Sequence, residues 1–465
     1  MTAGAALGRL VAALGRPGAE LPEPLLERLR CGLLHDLTVA LAAHPVGGAI
    51  WPLVRDRGPA EATLLVDGGR VAAEAAAFAN AQLMHARAQD DTHFAAKTHV
   101  GAAVIPAALA LAEREGADGG RLAAAVIAGC EVAAAVGERH AAAATARGFR
   151  ASPVFGTLGA AAACAVVLGL DEERAAHALA IASSCSGGLN QTWVDGSSEY
   201  RLQLGFAARD GLLAARLAAA GERGARHWYE GEAGFARAFG GGAPGGGPSG
   251  GEPLGGEAFG AGEACCDDDW QLGVRWRLLD VTYKPHPVCA ILQSAVTVAA
   301  GLAREHDLDA SAVTAVRVAL DPRDRAYPGT LDPGPWDHVA ATLMSAQFCT
   351  ALALRDRGAS LAGLHDFDDP LLARLAAATT VLADERIPPL GARVEVDTAA
   401  GATVAAELLP DARTYGWDWE GVRGNALRML PELPVDAARL ERLAAVVREL
   451  TALPTLAPLL RECVA

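Results

Sequence analysis

Ionisable residues crowd into one short segment of a chain that is otherwise rich in alanine and leucine. Residues 80–106 contain three histidines and two adjacent aspartates, which are His85, His93, His99, Asp90 and Asp91. A histidine can exchange a proton near neutral pH, and a neighbouring carboxylate can orient its ring. The spacing therefore predicts a site for proton transfer. The alternative is a solvated loop in which Asp90 or Asp91 caps a helix.

Lysine is rare in this chain: Lys97 and Lys284 are its two lysines, and the other basic charge is arginine. Lys284 lies in the run Tyr-Lys-Pro-His-Pro, whose two prolines indicate a rigid loop. A fixed ammonium group could stabilise the negative charge that develops when a proton leaves carbon. Lys284 is therefore the second candidate, whereas Lys97 is expected to be a solvated loop residue.

The segment of ionisable residues lies between two apolar runs, 71–78 and 102–112, so it is predicted to connect two buried helices. Residues 62–73 carry Asp-Gly-Gly between apolar flanks and are expected to form a small peripheral hairpin. Apolar periodic segments alternate with short breaks from residue 23 to about 221, which predicts a helical domain. Its helices are expected at residues 25–43, 121–136, 156–168, 172–183 and 206–220.

The second half of the chain mixes strand-like and helical runs. Strands are expected at 312–319, 379–383, 392–398 and 403–408, and helices at 288–305 and 338–355. The expected fold is mainly α: a large all-helical domain of residues 1–270, completed by 411–465, and a smaller α+β domain of residues 272–410. Glycine-rich residues 240–262 are expected to form a flexible loop.

Composition excludes several classes of protein. The net charge of −15 disfavours nucleic acid and anionic membrane as partners, since both are bound through clustered lysine and arginine. No stretch of about 20 residues is uniformly apolar and uncharged, so no membrane span is expected. The nine cysteines are scattered and none forms a Cys-x-x-Cys pair. This usage favours a cytoplasmic protein and argues against a zinc or iron–sulfur site.

Several motifs occur in a fixed order along nearly the whole chain. They are Asn80 with His85 and Asp90-Asp91-Thr92, then Thr98-His99, then GFRASPVFGTLG from Gly148, YRLQLGFAARDG from Tyr200, and TYKPHPVC from Thr282. Together they resemble the MmgE/PrpD family, which includes 2-methylcitrate dehydratase, cis-aconitate decarboxylase and iminodisuccinate epimerase.

The resemblance implies a helical domain with an α+β lid domain, a homodimer, and catalysis at the domain junction without a metal or organic cofactor. Members of the family act on small polycarboxylates by removing water or carbon dioxide, or by inverting a centre. These reactions begin beside a carboxylate, so the site needs a base, an acid for the leaving group and a cation for enolate charge. On this basis the expected catalytic residues are His99, Lys284, Asp90 and Asp91.

Several positions depart from the family pattern. Ala88 takes the place of the first aspartate of the acidic run, and Gln293 that of a histidine beyond the cysteine of the last motif. Arg150 replaces a histidine; because arginine stays charged, it can bind an anion but is a poor general acid. Tyr200 and Gln203 replace a lysine and a histidine. The expected substrate-binding residues are Thr92, Arg150, Ser152, Tyr200, Arg201, Gln203 and His286.

These departures favour a lyase of the MmgE/PrpD type that acts by proton abstraction and elimination on a small polar acid other than 2-methylcitrate. One alternative is elimination of an activated leaving group, sulfate or phosphate, with ring closure by an internal amine in specialised metabolism. Two further alternatives are an epimerase or isomerase, and a non-catalytic subunit that supports a partner. The expected partners are a small-molecule substrate, a second copy of the chain and, in the last case, an additional small protein.

Overall fold

The computed structural model of the protein describes residues 2–55, 58–240, 270–411 and 413–465. The predicted glycine-rich loop at 240–262 lies outside the described residues except for its first residue. The helices are, in chain order, α1 (Ala3–Leu14), α2 (Glu23–Ala42), α3 (His44–Gly47), α4 (Trp51–Val54), α5 (Ala73–His85), α6 (Val100–Glu115), α7 (Gly119–Ala146), α8 (Ala151–Val167), α9 (Glu172–Ser183), α10 (Gln191–Val194), α11 (Glu199–Ala219), α12 (Phe235–Gly240), α13 (Gln293–Glu305), α14 (Pro322–Arg325), α15 (Val339–Met344), α16 (Ala346–Asp356), α17 (Pro370–Ala377), α18 (Trp419–Arg428), α19 (Ala437–Arg448) and α20 (Ala457–Glu462). The strands are β1 (Ala62–Thr63), β2 (Arg70–Val71), β3 (Val313–Leu320), β4 (Thr379–Ala383), β5 (Ala392–Thr398) and β6 (Thr403–Leu408).

Small residues let the helices of the first part pack closely. Every residue of α8 is buried. Where α8 crosses α7, a Cβ atom on Gly129 would lie 2.6 Å from the Gly159 carbonyl oxygen, and one on Gly159 would lie 2.7 Å from that of Gly129. Glycine at both positions therefore allows the two backbones to approach each other. The predicted mainly α fold is confirmed, although its helices are mostly longer than the periodic runs that indicated them.

Helix α7 illustrates this difference in length. It begins after Asp118, whose carboxylate accepts the Arg121 N–H at 2.7 Å, and it continues ten residues past the predicted end at 136. By length and composition α7 could cross a membrane, as could the bent pair formed by α2 with residues 44–54, but 89% of the apolar window of α7 is buried inside the protein. We therefore describe α7 as a helix of the core.

The α+β part contains a four-stranded mixed sheet in the order β4-β3-β5-β6. Strand β3 pairs in parallel with β4 and antiparallel with β5. The predicted strands are present: β4, β5 and β6 keep the predicted ends, and β3 is displaced by one residue. The prediction of a single helix at 338–355 is wrong, because Ser345 has an extended ψ of 117° and its hydroxyl caps α16 by accepting the Phe348 N–H at 3.1 Å.

The small hairpin of β1 and β2 is present but is not peripheral. Leu64 and Leu65 are buried, and the Asn80 side chain bonds the hairpin backbone at both its oxygen and its nitrogen, each at 2.9 Å. Val66 pairs with the last residues of the chain, accepting the Ala465 N–H at 2.9 Å. The carboxyl-terminal helices α18–α20 thus lie against the helical part, and their apolar residues belong to its core.

A second hydrophobic cluster fills the α+β part, and it also takes in three residues of the helical part. These three residues are Ala88, Trp193 and Tyr200. Ala88 lies within the segment of ionisable residues (80–106, the polar segment), and the Tyr200 ring lies 5.7 Å from the His85 ring of that segment. The polar segment therefore lies where the two hydrophobic clusters meet.

Candidate active site

The polar segment joins α5 to α6 and is held by pairing with the chain before Lys284. Thr92 and Thr282 exchange two backbone hydrogen bonds of 2.9 Å. Because the pairing is antiparallel, Lys284, two residues after Thr282, comes opposite Asp90, two residues before Thr92. Asp90 is 0% exposed and Asp91 is 3% exposed. The alternative of a solvated loop is therefore wrong.

His85 is held in one tautomer between a carboxylate and a guanidinium. Its Nδ1 lies 2.9 Å from each carboxylate oxygen of Asp90, and its Nε2 contacts the Arg150 guanidinium. Because arginine can only donate, Nε2 accepts and Nδ1 carries the proton that is donated to Asp90. Burial is the main cause that lowers the pKa of His85, to about 4, and Arg150 lowers it further. His85 is therefore a neutral ring that orients Asp90.

His99 is placed differently, because only one of its nitrogens is bonded. Nδ1 lies 2.8 Å from the Asp91 carbonyl oxygen and 3.3 Å from the Thr92 hydroxyl. A carbonyl can only accept, so Nδ1 carries the proton and Nε2 keeps a lone pair. Among the described residues Nε2 has no hydrogen-bond partner, and the His99 side chain is 18% exposed. His99 is therefore a partly exposed side chain whose Nε2 is unprotonated.

Lys284 is buried beside this ring. Its ammonium group donates to the Ala88 carbonyl and lies 3.4 Å from His99 Nδ1 and 3.9 Å from Asp90 Oδ1. Ala88 has a φ of +52°, a conformation uncommon for residues other than glycine. The Gln89 side chain donates to the Lys284 carbonyl at 3.2 Å. Backbone and side chain of Lys284 are thus both tied to the polar segment.

His85, Asp90, His99 and Lys284 form a cluster in which the charged groups stabilise one another. Burial by itself would raise the pKa of Asp90, but the neighbouring His85, His99 and Lys284 lower that pKa well below the usual range. Burial lowers the pKa of Lys284, and Asp90 partly opposes that change. Burial and then the Lys284 ammonium lower the pKa of His99 well below its usual value. At neutral pH the cluster therefore combines a carboxylate, an ammonium group and two neutral imidazoles.

Asp91 has a different role from Asp90. Its carboxylate accepts the Gly101 N–H at 3.0 and 3.1 Å, in the first turn of α6. It thereby acts as the cap of the helix that follows His99, as one of the sequence alternatives expected. Its backbone carbonyl, rather than its side chain, contacts the His99 ring.

The structure brings several of the predicted binding residues to the cluster. Arg150 contacts His85 and the Gln203 oxygen, at 3.2 Å in the latter case, and stacks 4.8 Å from the centre of the Trp193 ring. The Ser152 hydroxyl accepts the His99 backbone N–H at 3.1 Å. Together with Thr92, which contacts His99, these residues surround the two histidines.

Three other predicted residues are directed elsewhere. Tyr200 is fully buried with its ring 5.7 Å from His85, but its hydroxyl donates to a backbone carbonyl of the polar segment. Arg201 donates to Gln82 at 2.6 Å, and His286 pairs with the Thr297 hydroxyl at 3.1 Å. Arg201 and His286 therefore do not contact the cluster, because adjacent residues of a helix or loop face different neighbours.

Two groups of side chains in the described residues come close enough to hold a metal ion. The first group is made of His85, Asp90 and His99. The Nδ1 atoms of both histidines face Asp90 and carry protons, and the Lys284 ammonium already balances the charge of the Asp90 carboxylate. A metal needs deprotonated ligand nitrogens and would be repelled by that ammonium. In the second, made of His93, Glu138 and Asp280, arginine side chains already bind both carboxylates. Neither donor set fits a metal in this arrangement.

Sequence reasoning missed four residues that border the cluster. Asp36 in α2 accepts the Asp91 N–H at 2.9 Å, and its only signal was a charged residue inside an apolar helical run. Trp193 stacks on Arg150, while Tyr327 and Cys289 are close enough to change the pKa of Arg150. No motif pointed to Trp193 or Tyr327, which approach from distant parts of the chain, whereas Cys289 is the last residue of the motif that contains Lys284.

We expect His99 to stay neutral from pH 8 to below pH 6.5. Its pKa is lowered by burial and by Lys284, so the base form is lost only as the pH falls through that depressed value. Titration of ¹⁵N-histidine-labelled protein by NMR, with His99 identified from a His99→Asn variant, measures this directly. A midpoint at or above 6.5 would contradict the lowering of the His99 pKa by burial and by the Lys284 ammonium.

The fold and the cluster define a mainly helical protein with a buried histidine, aspartate and lysine centre beside its α+β part. The family model described as the MmgE/PrpD N-terminal domain matches residues 17–245. This match covers just under half of the chain and, with the relatives described next, supports a divergent member of the MmgE/PrpD family, as the motifs predicted.

Three curated relatives are similar to this chain. A cis-aconitate decarboxylase-like protein of Aspergillus oryzae is 33% identical over 180 residues, which span 37% of this chain and 36% of that protein. Two cis-aconitate decarboxylases of Aspergillus terreus are 25% and 24% identical over 368 residues, which span 76% of this chain and 72% of each relative. The similarity to the first relative is thus confined to about a third of its length.

Proposed function

We propose that the protein is a lyase of the dehydratase and decarboxylase type, which removes a proton from carbon beside a carboxylate and expels a leaving group. Family membership and relatives named cis-aconitate decarboxylases support this class. The observation that carries the proposal is the His99 ring: Nδ1 is fixed by a carbonyl, and Nε2 has a free lone pair within the described part of the chain. A neutral imidazole held in this way is suited to act as a general base.

In this proposal each member of the cluster has one task. His99 Nε2 takes the proton from carbon, and the Lys284 ammonium, 3.4 Å from the other nitrogen of the same ring, stabilises the enolate oxygen. Asp90 keeps Lys284 in place through an ion pair and His85 through a hydrogen bond. The groups are arranged before substrate binds, so little reorganisation is needed during the reaction.

The charges around the cluster favour a substrate with few carboxylates. Lys284 and Arg150 supply two positive charges, and Asp90 and Asp91 supply two negative ones. Arg150 already donates to Tyr200, Gln203 and His85. A tricarboxylate would therefore meet little uncompensated positive charge at the cluster, since Arg201 is directed away. We infer that the substrate is a small acid with one or two carboxylates.

The leaving group is inferred from the acids that surround the cluster. Arg150 keeps a pKa of about 10, lowered by burial, so it is charged at neutral pH and is a weak proton donor. The Tyr200 hydroxyl donates to a backbone carbonyl, and burial raises its pKa. A leaving group that departs without protonation, such as sulfate or phosphate, suits these surroundings better than water. Its carbon–oxygen bond would break as the carbon–carbon double bond forms, and an internal amine could then close a ring.

The test uses purified protein in deuterated buffer with a panel of small acids that carry sulfate, phosphate or hydroxyl on the carbon next to the acidic C–H. We expect NMR to show an unsaturated or cyclised product with release of sulfate or phosphate, and slower turnover of cis-aconitate and 2-methylcitrate. Deuterium entering recovered substrate without product would identify an epimerase instead. Absence of both exchange and product across the panel would refute the lyase proposal.

A further inference from the structure

Asp36 is a fully buried carboxyl group in the middle of the apolar helix α2. Its Oδ1 accepts the Asp91 backbone N–H at 2.9 Å. Its Oδ2 has no hydrogen-bond partner among the residues that the structure describes. Burying a carboxyl group with an unpaired oxygen costs free energy, so its position calls for a compensating interaction.

The Asp91 carboxylate approaches the same space, beside Gly101. A Cβ atom on Gly101 would lie 2.1 Å from Asp36 Oδ2 and 2.9 Å from Asp91 Oδ2. Both oxygens therefore converge on the space that a glycine leaves open at the start of α6. Two ionised carboxylates would repel each other in this buried place, so the pair shares one proton.

The surroundings decide which carboxyl group keeps the proton. Burial and then Asp90 raise the pKa of Asp91 to about 7, and the bond from the Gly101 N–H in the first turn of α6 opposes that rise by favouring the ionised form. Asp36 accepts a single N–H, and burial together with its acidic neighbours raises its pKa well above the usual value. Asp36 is thus the neutral member of the pair.

Asp91 is consequently held at three points: its N–H by Asp36, its carboxylate by Gly101, and its carbonyl by His99. We propose that Asp36 is a positioning residue for the base: it fixes the Asp91 backbone, whose carbonyl oxygen keeps His99 in the tautomer that leaves Nε2 free. The inference rests on the proposed function in so far as His99 is the base. The structural part of the inference concerns the tautomer of His99, and it does not depend on any substrate.

The first test compares two substitutions at Asp36. Asp36→Asn keeps an acceptor for the Asp91 N–H and places a donor where the O–H was, so kcat and KM are expected to stay near those of the unaltered protein. Asp36→Ala removes both interactions, and kcat is expected to fall about 10- to 100-fold with little change in KM, as for other residues that orient catalytic groups. Asp36→Leu, which keeps the number and branching of side-chain heavy atoms but has no hydrogen-bonding group, replaces the alanine variant if that variant does not fold. Equal kcat in all variants would overturn the inference.

The second test reads the tautomer directly. ¹⁵N chemical shifts of His99, measured by NMR without substrate, are expected to report protonated Nδ1 in the unaltered protein and in Asp36→Asn, and a mixture in Asp36→Ala. Thr38→Ala is the matched control: Thr38 is buried in the same helix and its hydroxyl donates to the Leu34 carbonyl, so the tautomer is expected to be unchanged.

The two readouts separate the inference from the proposed function. A tautomer that changes in Asp36→Ala, with no substrate turned over by any variant, would support the positioning role and refute the lyase. A tautomer that is the same in Asp36→Ala, with active enzyme, would refute the positioning role and leave the lyase intact.

Discussion

Replacing His99 by asparagine is expected to lower kcat on the order of a thousandfold, within the range of general base catalysis. The amide nitrogen of asparagine can take the place of Nδ1 and donate to the Asp91 carbonyl, 2.8 Å from Nδ1 in the structure. The substitution therefore deletes Nε2 and leaves the orienting hydrogen bond. KM and thermal stability are expected to change little, because the side chain is partly exposed. Steady-state kinetics on the panel substrate with the highest turnover, with a thermal melt, measure these effects.

His93→Asn is the matched control for this substitution. His93 lies in the same segment, but its ring faces Glu138, at 3.7 Å, rather than the cluster. We expect His93→Asn to retain kcat, and deuterium exchange into substrate to be lost only in the His99 variant. Retention of a substantial part of kcat by His99→Asn would mean that another group takes the proton. The role of the carbonyl-fixed ring would then be structural.

Replacing Lys284 by methionine is expected to lower kcat by about 10²- to 10³-fold, the usual effect of removing one group that stabilises developing negative charge. Methionine has nearly the same length but no charge. Since the Lys284 ammonium lowers the pKa of His99, its removal is also expected to shift the acid limb of kcat/KM to higher pH. The pH dependence of kcat/KM, from pH 5 to 9, measures both effects on one substrate.

Lys97→Met is the control, because Lys97 is the other lysine of the chain and its side chain is exposed. It is expected to leave both the rate and the pH profile unchanged. A Lys284→Met variant with an unshifted acid limb would contradict the electrostatic coupling to His99. Its stability is measured in parallel, since the Asp90 carboxylate loses a partner at 3.9 Å.

Local patterns in the sequence were sufficient for most of the secondary structure. Apolar periodicity indicated the helices, and alternation indicated the four strands of the sheet, because each depends on neighbours within a few residues. The two failures have different physical causes. The helix predicted at 338–355 breaks at Ser345, where a side-chain cap competes with the helical backbone. Local patterns could not show that Val66 pairs with the end of the chain, because the two segments are far apart in sequence. The hairpin was therefore expected at the surface.

The sequence by itself indicated the family and the two leading candidates, His99 and Lys284, because rare ionisable residues in an apolar chain are visible without a structure. The tertiary structure alone decided which partners each of these side chains contacts. It directed the Arg201 and His286 side chains away from the cluster, and it placed Asp36 behind Asp91. The hydrogen bonds concerned join residues 11 to 196 positions apart, from His286 with Thr297 to Lys284 with Ala88. Tautomers and buried protons depend on such long-range contacts, since desolvation and partner geometry arise only when distant segments pack together.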